Sequence, residues 1–413
     1  MSGMNFLERL LDGVAVEWKP LGDVAKTYDG THQTPNYTSS GVPFVSVQNI
    51  RNLYATKKFI SVDDFEKYKY KPQKDDLFMT RIGDIGTCTV VENDEPLAYY
   101  VTLTLIRVDR NLILTKFLKC IIESHIGKSE LYKRTLVHAT PIKINLGEIG
   151  KIIIPIPCPD KPDRSLAIQA EIVRILDTFT ALTAELTAEL TAELTARQKQ
   201  YEYYRDRLLT FEEGEAEWKT LGEIGEFTYG YAAKAQDAGD ARFVRITDIN
   251  INGKLIATDS KYVDISGENE RYLLKKSDLL MARTGATYGK TMIFEEDYPA
   301  IYAGFLIKLS FDESVITPKF YWHFAQSNFF WNQANRLVSG GGQPQFNANV
   351  LKDVKMLIPS LEEQARIVAI LDKFDTLTTD LSQGLPREIA LRQQQYEYYR
   401  DLLLSFPPPL TPP

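Results

Sequence analysis

The sequence is written twice, and that fact limits its fold more than any other. "VEWKPLGDV" at 16–24 returns as "AEWKTLGEI" at 216–224, and "DLFMTRIGDIGT" at 76–87 as "DLLMARTGATYG" at 278–289. "AIQAEIVRILDTFTAL" at 167–182 returns as "LEEQARIVAILDKFDTL" at 361–377, and "QKQYEYYRDRLLTF" at 198–211 as "QQQYEYYRDLLLSF" at 393–406. A repeat of this length means two copies of one folding unit, each a mixed globular part of about 145 residues followed by a helical part of about 45. A chain of 413 residues is also too long for one ordinary core. The opening "FLERLLDG" resembles the helix end "YYRDRLLTF". The first unit therefore begins with the tail of a helix whose body lies at the far end of the chain, a circular arrangement.

The expected fold class is α+β: two tandem mixed α/β domains joined by two long helices in an antiparallel coiled coil, with pseudo-twofold, circular internal symmetry. The boundaries are an N-terminal helix completing the repeat at 1–13, a first globular domain at 14–160, and a central helix at 161–213. A second globular domain follows at 214–359, then a C-terminal helix at 360–406 and a Pro-rich tail at 407–413. The helical ends match closely, whereas the globular parts agree only at scattered framework stretches. That contrast suits a fixed scaffold carrying two readers of different specificity. Within the globular parts "FVSVQNI" (44–50) and "FVRITDI" (243–249) alternate like half-buried strands, and Asn252-Gly253 signals a hairpin. "KIIIPIP" (151–157) and "VKMLIP" (354–359) read as apolar strands ending at proline.

Both helical segments place apolar residues at alternating steps of three and four, as a coiled coil requires. Between them, residues 183–194 read "TAELTAELTAEL". A step of four overshoots one helical turn by about 40°, so Leu182, Leu186, Leu190 and Leu194 drift around the helix. Four-residue steps are stutters, which unwind a supercoil locally. Leu377, Leu381, Leu385 and Ile389 fall at the matching posts of the second segment, where Gly384 and Pro386 kink or restart the helix.

Cys88, Cys120 and Cys158 stand in no paired or metal-ligand spacing, which suits a reducing cytosol. The start has neither the basic region nor the apolar run of a signal peptide, and no stretch approaches a membrane span, so a cytoplasmic protein is expected. His32, His125, His138 and His323 are scattered, and nucleophile-elbow, metalloprotease, methyltransferase and nuclease signatures are all missing. The chain is expected to be non-catalytic, with no cofactor of its own. Net charge is −7, but residues 14–160 hold 19 basic against 17 acidic residues, while 161–213 hold 7 against 10. Any nucleic-acid surface must then be a local patch.

Two loops offer such patches. "GATYGKT" (285–291) resembles a phosphate-binding P-loop but has three residues between its glycines, and "TMIFEEDY" after it reads as strand, not helix. A glycine loop between strands could still bring Arg283, Thr284, Tyr288 and Lys290 to a DNA backbone, as Arg81 could be brought in the first copy. In "SGGGQPQFNAN" (339–349), Gln343, Gln345 and Asn347 suit adenine edges. An ordinary surface loop has the same composition, and that alternative stays open. The first copy offers Lys133, Arg134, His138, Thr140 and Lys143 at the matching place, and Arg245 of "FVRITDI" completes the candidates.

The duplicated unit, "LEEQARIVAILDKFDTL", "QQQYEYYRDLLLSFP" and the TAEL repeats resemble the specificity subunit of type I restriction–modification systems, in the type IC-like subfamily with TAEL linkers. The resemblance covers essentially the whole chain and is weakest in the globular parts. It implies two target-recognition domains, each reading half of a bipartite double-stranded DNA target. It also implies helices that dock two methyltransferase subunits, restriction and translocation subunits joining through the complex, and a spacer set by the TAEL count. S-adenosylmethionine, ATP and Mg would serve the complex; no membrane is involved. A helical assembly scaffold without DNA readout is the main alternative, and an ATPase built on "GATYGKT" a third.

Overall fold

The computed structural model describes residues 6–337, 346–380 and 382–408. Its contacts divide the chain into two units, Met1–Thr187 with Leu391–Pro413, and Ala188–Ala390. The first division falls inside the TAEL run.

The first unit opens with helix α1 (Phe6–Leu11) and strands β1 (Val16–Pro20), β2 (Ala25–Asp29), β3 (Val42–Val45) and β4 (Phe59–Ile60). Then come α2 (Val62–Glu66), β5 (Leu77–Thr80), β6 (Cys88–Val90), β7 (Ala98–Tyr99) and β8 (Leu103–Val108). Helices α3 (Thr115–Glu123), α4 (His125–Arg134) and α5 (Leu146–Ile149) lead through β9 (Ile153–Pro157) into α6 (Pro162–Leu208). The second unit repeats the strand order with β10 (Glu217–Thr220), α7 (Leu221–Ile224), β11 (Gly225–Tyr229), β12 (Ala241–Val244), β13 (Tyr262–Val263), β14 (Leu279–Ala282), β15 (Thr291–Ile293), β16 (Ala300–Tyr302) and β17 (Leu306–Phe311). It continues with α8 (Pro318–Ala325), α9 (Asn328–Leu337), α10 (Ala348–Leu351), β18 (Lys355–Ile358), α11 (Leu361–Thr379) and the start of α12 (Leu385–Leu403).

Strand order is the same in both units. Four-stranded sheets run β2-β8-β5-β6 and β11-β17-β14-β15, three-stranded sheets β4-β3-β7 and β13-β12-β16, and β1 pairs with β9 as β10 does with β18. The continuous apolar strands explain the layering. Every residue of β5 ("LFMT") and β14 ("LLMA") is buried. Successive side chains of a strand point to opposite faces. Leu77 and Met79 thus join the helical core with Phe117 and Ile172, whereas Phe78 joins Tyr99 and Leu105 on the other face. Leu279 and Met281 divide from Leu280 and Ala282 in the same way.

The strands expected over 44–50 and 243–249 are shorter than their alternation suggested. After Val45 and Val244 the chain turns into one-turn 3-10 helices, Val47–Asn49 and Ile246–Asp248. Capping supplies the reason: the Asn49 side chain accepts from the Ser46 N–H (3.2 Å), and Asp248 accepts from the Arg245 N–H (2.8 Å). The strands at 153–157 and 355–358 lie where expected, and an antiparallel bridge between Ile249 and Leu255 closes the hairpin at Asn252-Gly253.

Helix α6 is continuous for 47 residues. The second helical segment is not one long helix: α11 ends at Thr379, Asp380 caps it, and α12 restarts with Pro386 in its first turn. Proline's missing N–H costs nothing at that position. The seam leucines are only partly covered. Leu182 is 50% and Leu377 37% exposed, and Leu186, Leu190, Leu194, Leu385 and Ile389 are half-buried. Leu381 lies outside the described residues. The drift of a four-residue step keeps any one face from collecting these leucines, so the buried contacts sit at the helix ends.

Those ends dock through the same chemistry in both units. Gln169 accepts from the Leu114 N–H (2.8 Å) and donates to the Leu112 carbonyl (3.0 Å). Gln364 accepts from the Thr317 N–H and donates to the Val315 carbonyl, both at 2.9 Å. Lys116 pairs with Asp177 (2.9 Å) as Lys319 pairs with Asp372 (3.2 Å). Asp401 of α12 accepts from the His125 N–H at the start of α4 (3.1 Å), and Asp206 of α6 from the Asn328 N–H at the start of α9 (3.1 Å). The chain's last helix thus completes the first domain. In that unit Ile172 and Leu176 share a core with Leu403 and Leu404, while Thr180 donates to the Tyr396 hydroxyl (3.0 Å). The two helices therefore run antiparallel there.

Candidate nucleic-acid interface

In each domain an inner strand of the four-stranded sheet, β5 or β14, is followed by an arginine and a glycine-bearing loop. A Cβ at Gly86 (φ +90°) would meet the Leu131 side chain of α4 at 2.5 Å, and one at Gly289 (φ +75°) the Trp331 ring of α9 at 2.9 Å. Only glycine fits both the dihedral and the close approach. The loop of the second domain is one residue longer than that of the first.

A second loop lies against the first. The Ile144 N–H donates to the Arg81 carbonyl (3.0 Å), and the Phe346 N–H to the Arg283 carbonyl (2.7 Å). In the first domain, bridges from Lys143 to Ile82 and to Leu136 tie the segment 136–143 to residues 81–83. His138, Thr140 and Lys143 are exposed on that segment. Gln343 and Gln345, expected on the equivalent loop, lie outside the described residues. Asn347 is described, and its side chain caps α10 by accepting from the Val350 N–H (2.9 Å).

Several candidate cations are engaged elsewhere. Arg81 is buried, ion-paired with Asp29, and donates to the Ile144 carbonyl (3.2 Å). Lys133 and Arg134 both pair with Glu130 (2.7 and 2.8 Å). Burial opposes the Glu130 charge, but Lys133, the Ile153 N–H and Arg134 outweigh it and hold the carboxyl below its ordinary range. Arg245 clamps Asp248 (2.8 Å) and the Asp259 carbonyl (3.1 Å), which makes it part of a turn. The Tyr288 hydroxyl donates to Asn335 (2.7 Å), and Thr284 precedes the short 3-10 turn Gly285–Thr287.

Arg283 and Lys290 differ, having no ion pair among the described residues. Arg283 lies over the rings of Tyr229 (4.8 Å) and Phe305 (5.9 Å). Lys290 lines a cavity of about 460 Å³ with Arg205, Tyr288 and Trp331. The loop 285–290 leads into β15, a strand, so the helix that a P-loop must open is not there. Asp29, Tyr229 and Phe305 escaped the sequence reading because their relation to the arginines depends on strand register. The glutamines Gln169 and Gln364 could have been found, since both stand within the repeated stretch before "IV".

Among the described residues, no group of three or more His, Cys, Asp or Glu side chains is placed to hold a metal ion, and no helix is long and apolar enough to cross a membrane. The model of the family described as type I restriction modification DNA specificity domain matches twice, at residues 14–196 and 214–391. The EcoR124I/EcoR124II specificity subunit of Escherichia coli is 35% identical, over 100% of this chain and 99% of that protein. A putative type I restriction enzyme specificity subunit of Haemophilus influenzae is 33% identical, over 97% and 98%. Among solved structures, a type I R-M system chain gives a TM-score of 0.64 at 16% identity, covering 94% of this chain and 97% of that one. The HsdS subunit from Thermoanaerobacter tengcongensis gives 0.51 at 14% identity, covering 94% and 95%. Both show likeness of fold.

Proposed function

The chain belongs to the type I restriction–modification DNA specificity family, and on that premise we propose that each globular domain reads one half of a bipartite double-stranded DNA target. The observation that carries this is one framework with two faces. The sheet order and the loop pair around Arg81 and Arg283 repeat, whereas the side chains on the loops do not. Identical scaffolds with different polar surfaces are what two half-sites of different sequence require.

The helices would dock two methyltransferase subunits, and restriction subunits would join through the assembled complex. S-adenosylmethionine, ATP and Mg would be bound by those partners in the cytoplasm; this chain supplies the address. Coexpression with the methyltransferase subunit followed by genome-wide mapping of methylated adenines tests the reading. A split motif with an unread spacer is expected, and a contiguous motif would overturn it. The scaffold alternative fails if the complex binds that motif selectively with a steep salt dependence.

A further inference from the structure

Arg81 and Arg283 hold the same post and differ in what surrounds the guanidinium. Each follows an inner strand of its sheet. Each main-chain N–H donates to a residue just before the β8 or β17 strand: Thr102 for Arg81 (3.0 Å) and Phe305 for Arg283 (3.1 Å). Around Arg81 the first domain supplies Asp29, at the end of β2, and the Ile144 carbonyl. The side chain is only 8% exposed, and its charge is cancelled where it stands.

At the post of Asp29 the second domain has Tyr229, at the end of β11, and at the post of Thr102 it has Phe305. Both rings are exposed, 41% and 57%. The Arg283 Nε is buried without a hydrogen-bond partner, and no carboxylate among the described residues pairs with it. Nor can residues 338–345, just before Phe346, supply one, because "VSGGGQPQ" holds no acid. Ring faces orient a guanidinium and favour its charge without taking up its N–H groups. Such an arginine is prepared for a bidentate anionic oxygen partner.

We propose that Arg283, and not Arg81, takes a DNA backbone phosphate, so that the second domain makes a charge-neutralising contact the first domain lacks. Tyr229 and Phe305 are positioning residues for that contact, and Asp29 is what withholds Arg81 from the equivalent one. The inference rests on the chain being a DNA-specificity subunit.

The test uses the full chain assembled with its methyltransferase subunits, and measures affinity for the split-target duplex and for an unrelated duplex across a salt series. Arg283→Ala should lower the slope of log affinity against log salt by about one and weaken both duplexes alike, on the order of tenfold at low salt. Arg283→Lys should restore most of the slope, since it keeps the charge. Asp29→Asn should raise the slope by about one by releasing Arg81. An unchanged slope in Arg283→Ala, or a changed half-site motif in place of a uniform loss, overturns the inference. If Arg283→Ala unfolds in a thermal melt, the slopes of Arg283→Lys and Asp29→Asn decide. A wild-type complex with no preference for its split target would sink the DNA-specificity reading itself. Wild-type preference with an insensitive Arg283 sinks only this assignment.

Discussion

Gln364 shows how much one buried amide holds in place. It is fully buried, accepting from the Thr317 N–H and donating to the carbonyls of Val315 and Pro359. Gln364→Ala leaves these main-chain groups unpaired out of water, so denaturant unfolding of the second domain should lose about 1–3 kcal/mol. No loss would mean that water replaces the amide. His323 is buried in the same domain, its Nδ1 3.0 Å from the Tyr201 hydroxyl and its Nε2 2.8 Å from Asp372, with Lys319 also on Asp372. A neutral ring fits both contacts, donating to Asp372 and accepting from Tyr201. Burial pushes its pKa below the ordinary value near 6.5, although Asp372 pulls the other way. The unfolded chain therefore takes up the proton first. Stability is full above about pH 6.5 and falls as pH drops below it. The first domain has Cys120 at that post, four residues after Lys116 as His323 is after Lys319. Unfolding at pH 7.5 and about pH 5.5 should differ for the second domain, and His323→Gln should flatten the difference. An equal pH response in the variant would assign it to another group.

Helices and strands were legible in the sequence to the extent that their periodicity was not interrupted. The apolar runs ending at proline announce the strands at 153–157 and 355–358, and Gly384 with Pro386 announces the helix restart. The 3-10 turns at Val47 and Ile246 were hidden because a capping side chain outweighs alternation over so short a stretch. The engagement of Arg81 was hidden too, since Asp29 lies 52 residues earlier and meets it only through strand register. The circular arrangement was readable in "FLERLLDG", and the fold gives it an energetic meaning. Leu7 and Leu11 of α1 share the first core with Leu403, Leu404 and Phe406, and the Trp18 indole donates to the Pro407 carbonyl (2.8 Å). Ending the chain at Ala390 would strip three large apolar side chains from that core, at a cost on the order of 5 kcal/mol or more. Amides of β5 and β8 should then exchange much faster, while those of β14 and β17 keep their protection. Equal loss in both domains would show that the tail acts otherwise than through the first core.

The TAEL run makes sense only at the scale of the whole molecule. No residue from 177 to 200 is buried, and the division between the two units falls at Thr187 and Ala188, inside the repeat. A stretch that contributes to neither core can change length without damage to either. It is nevertheless part of one continuous helix, so a change in length is transmitted through it. Removing residues 191–194 shortens α6 by about 6 Å and turns its ends against each other by about 40°. One base pair of DNA turns about 34–36° and rises about 3.4 Å. The rotations nearly agree and the rises do not, so rotation and rise predict different outcomes. If angular register governs, the unread spacer of the methylated motif shortens by one base pair with both half-sites intact. If axial length governs, it shortens by two. The second helical segment is broken between α11 and α12, whereas α6 is continuous. Methylome mapping of the deletion distinguishes the cases, and an unchanged spacer with methylation intact would remove the run's role as a ruler.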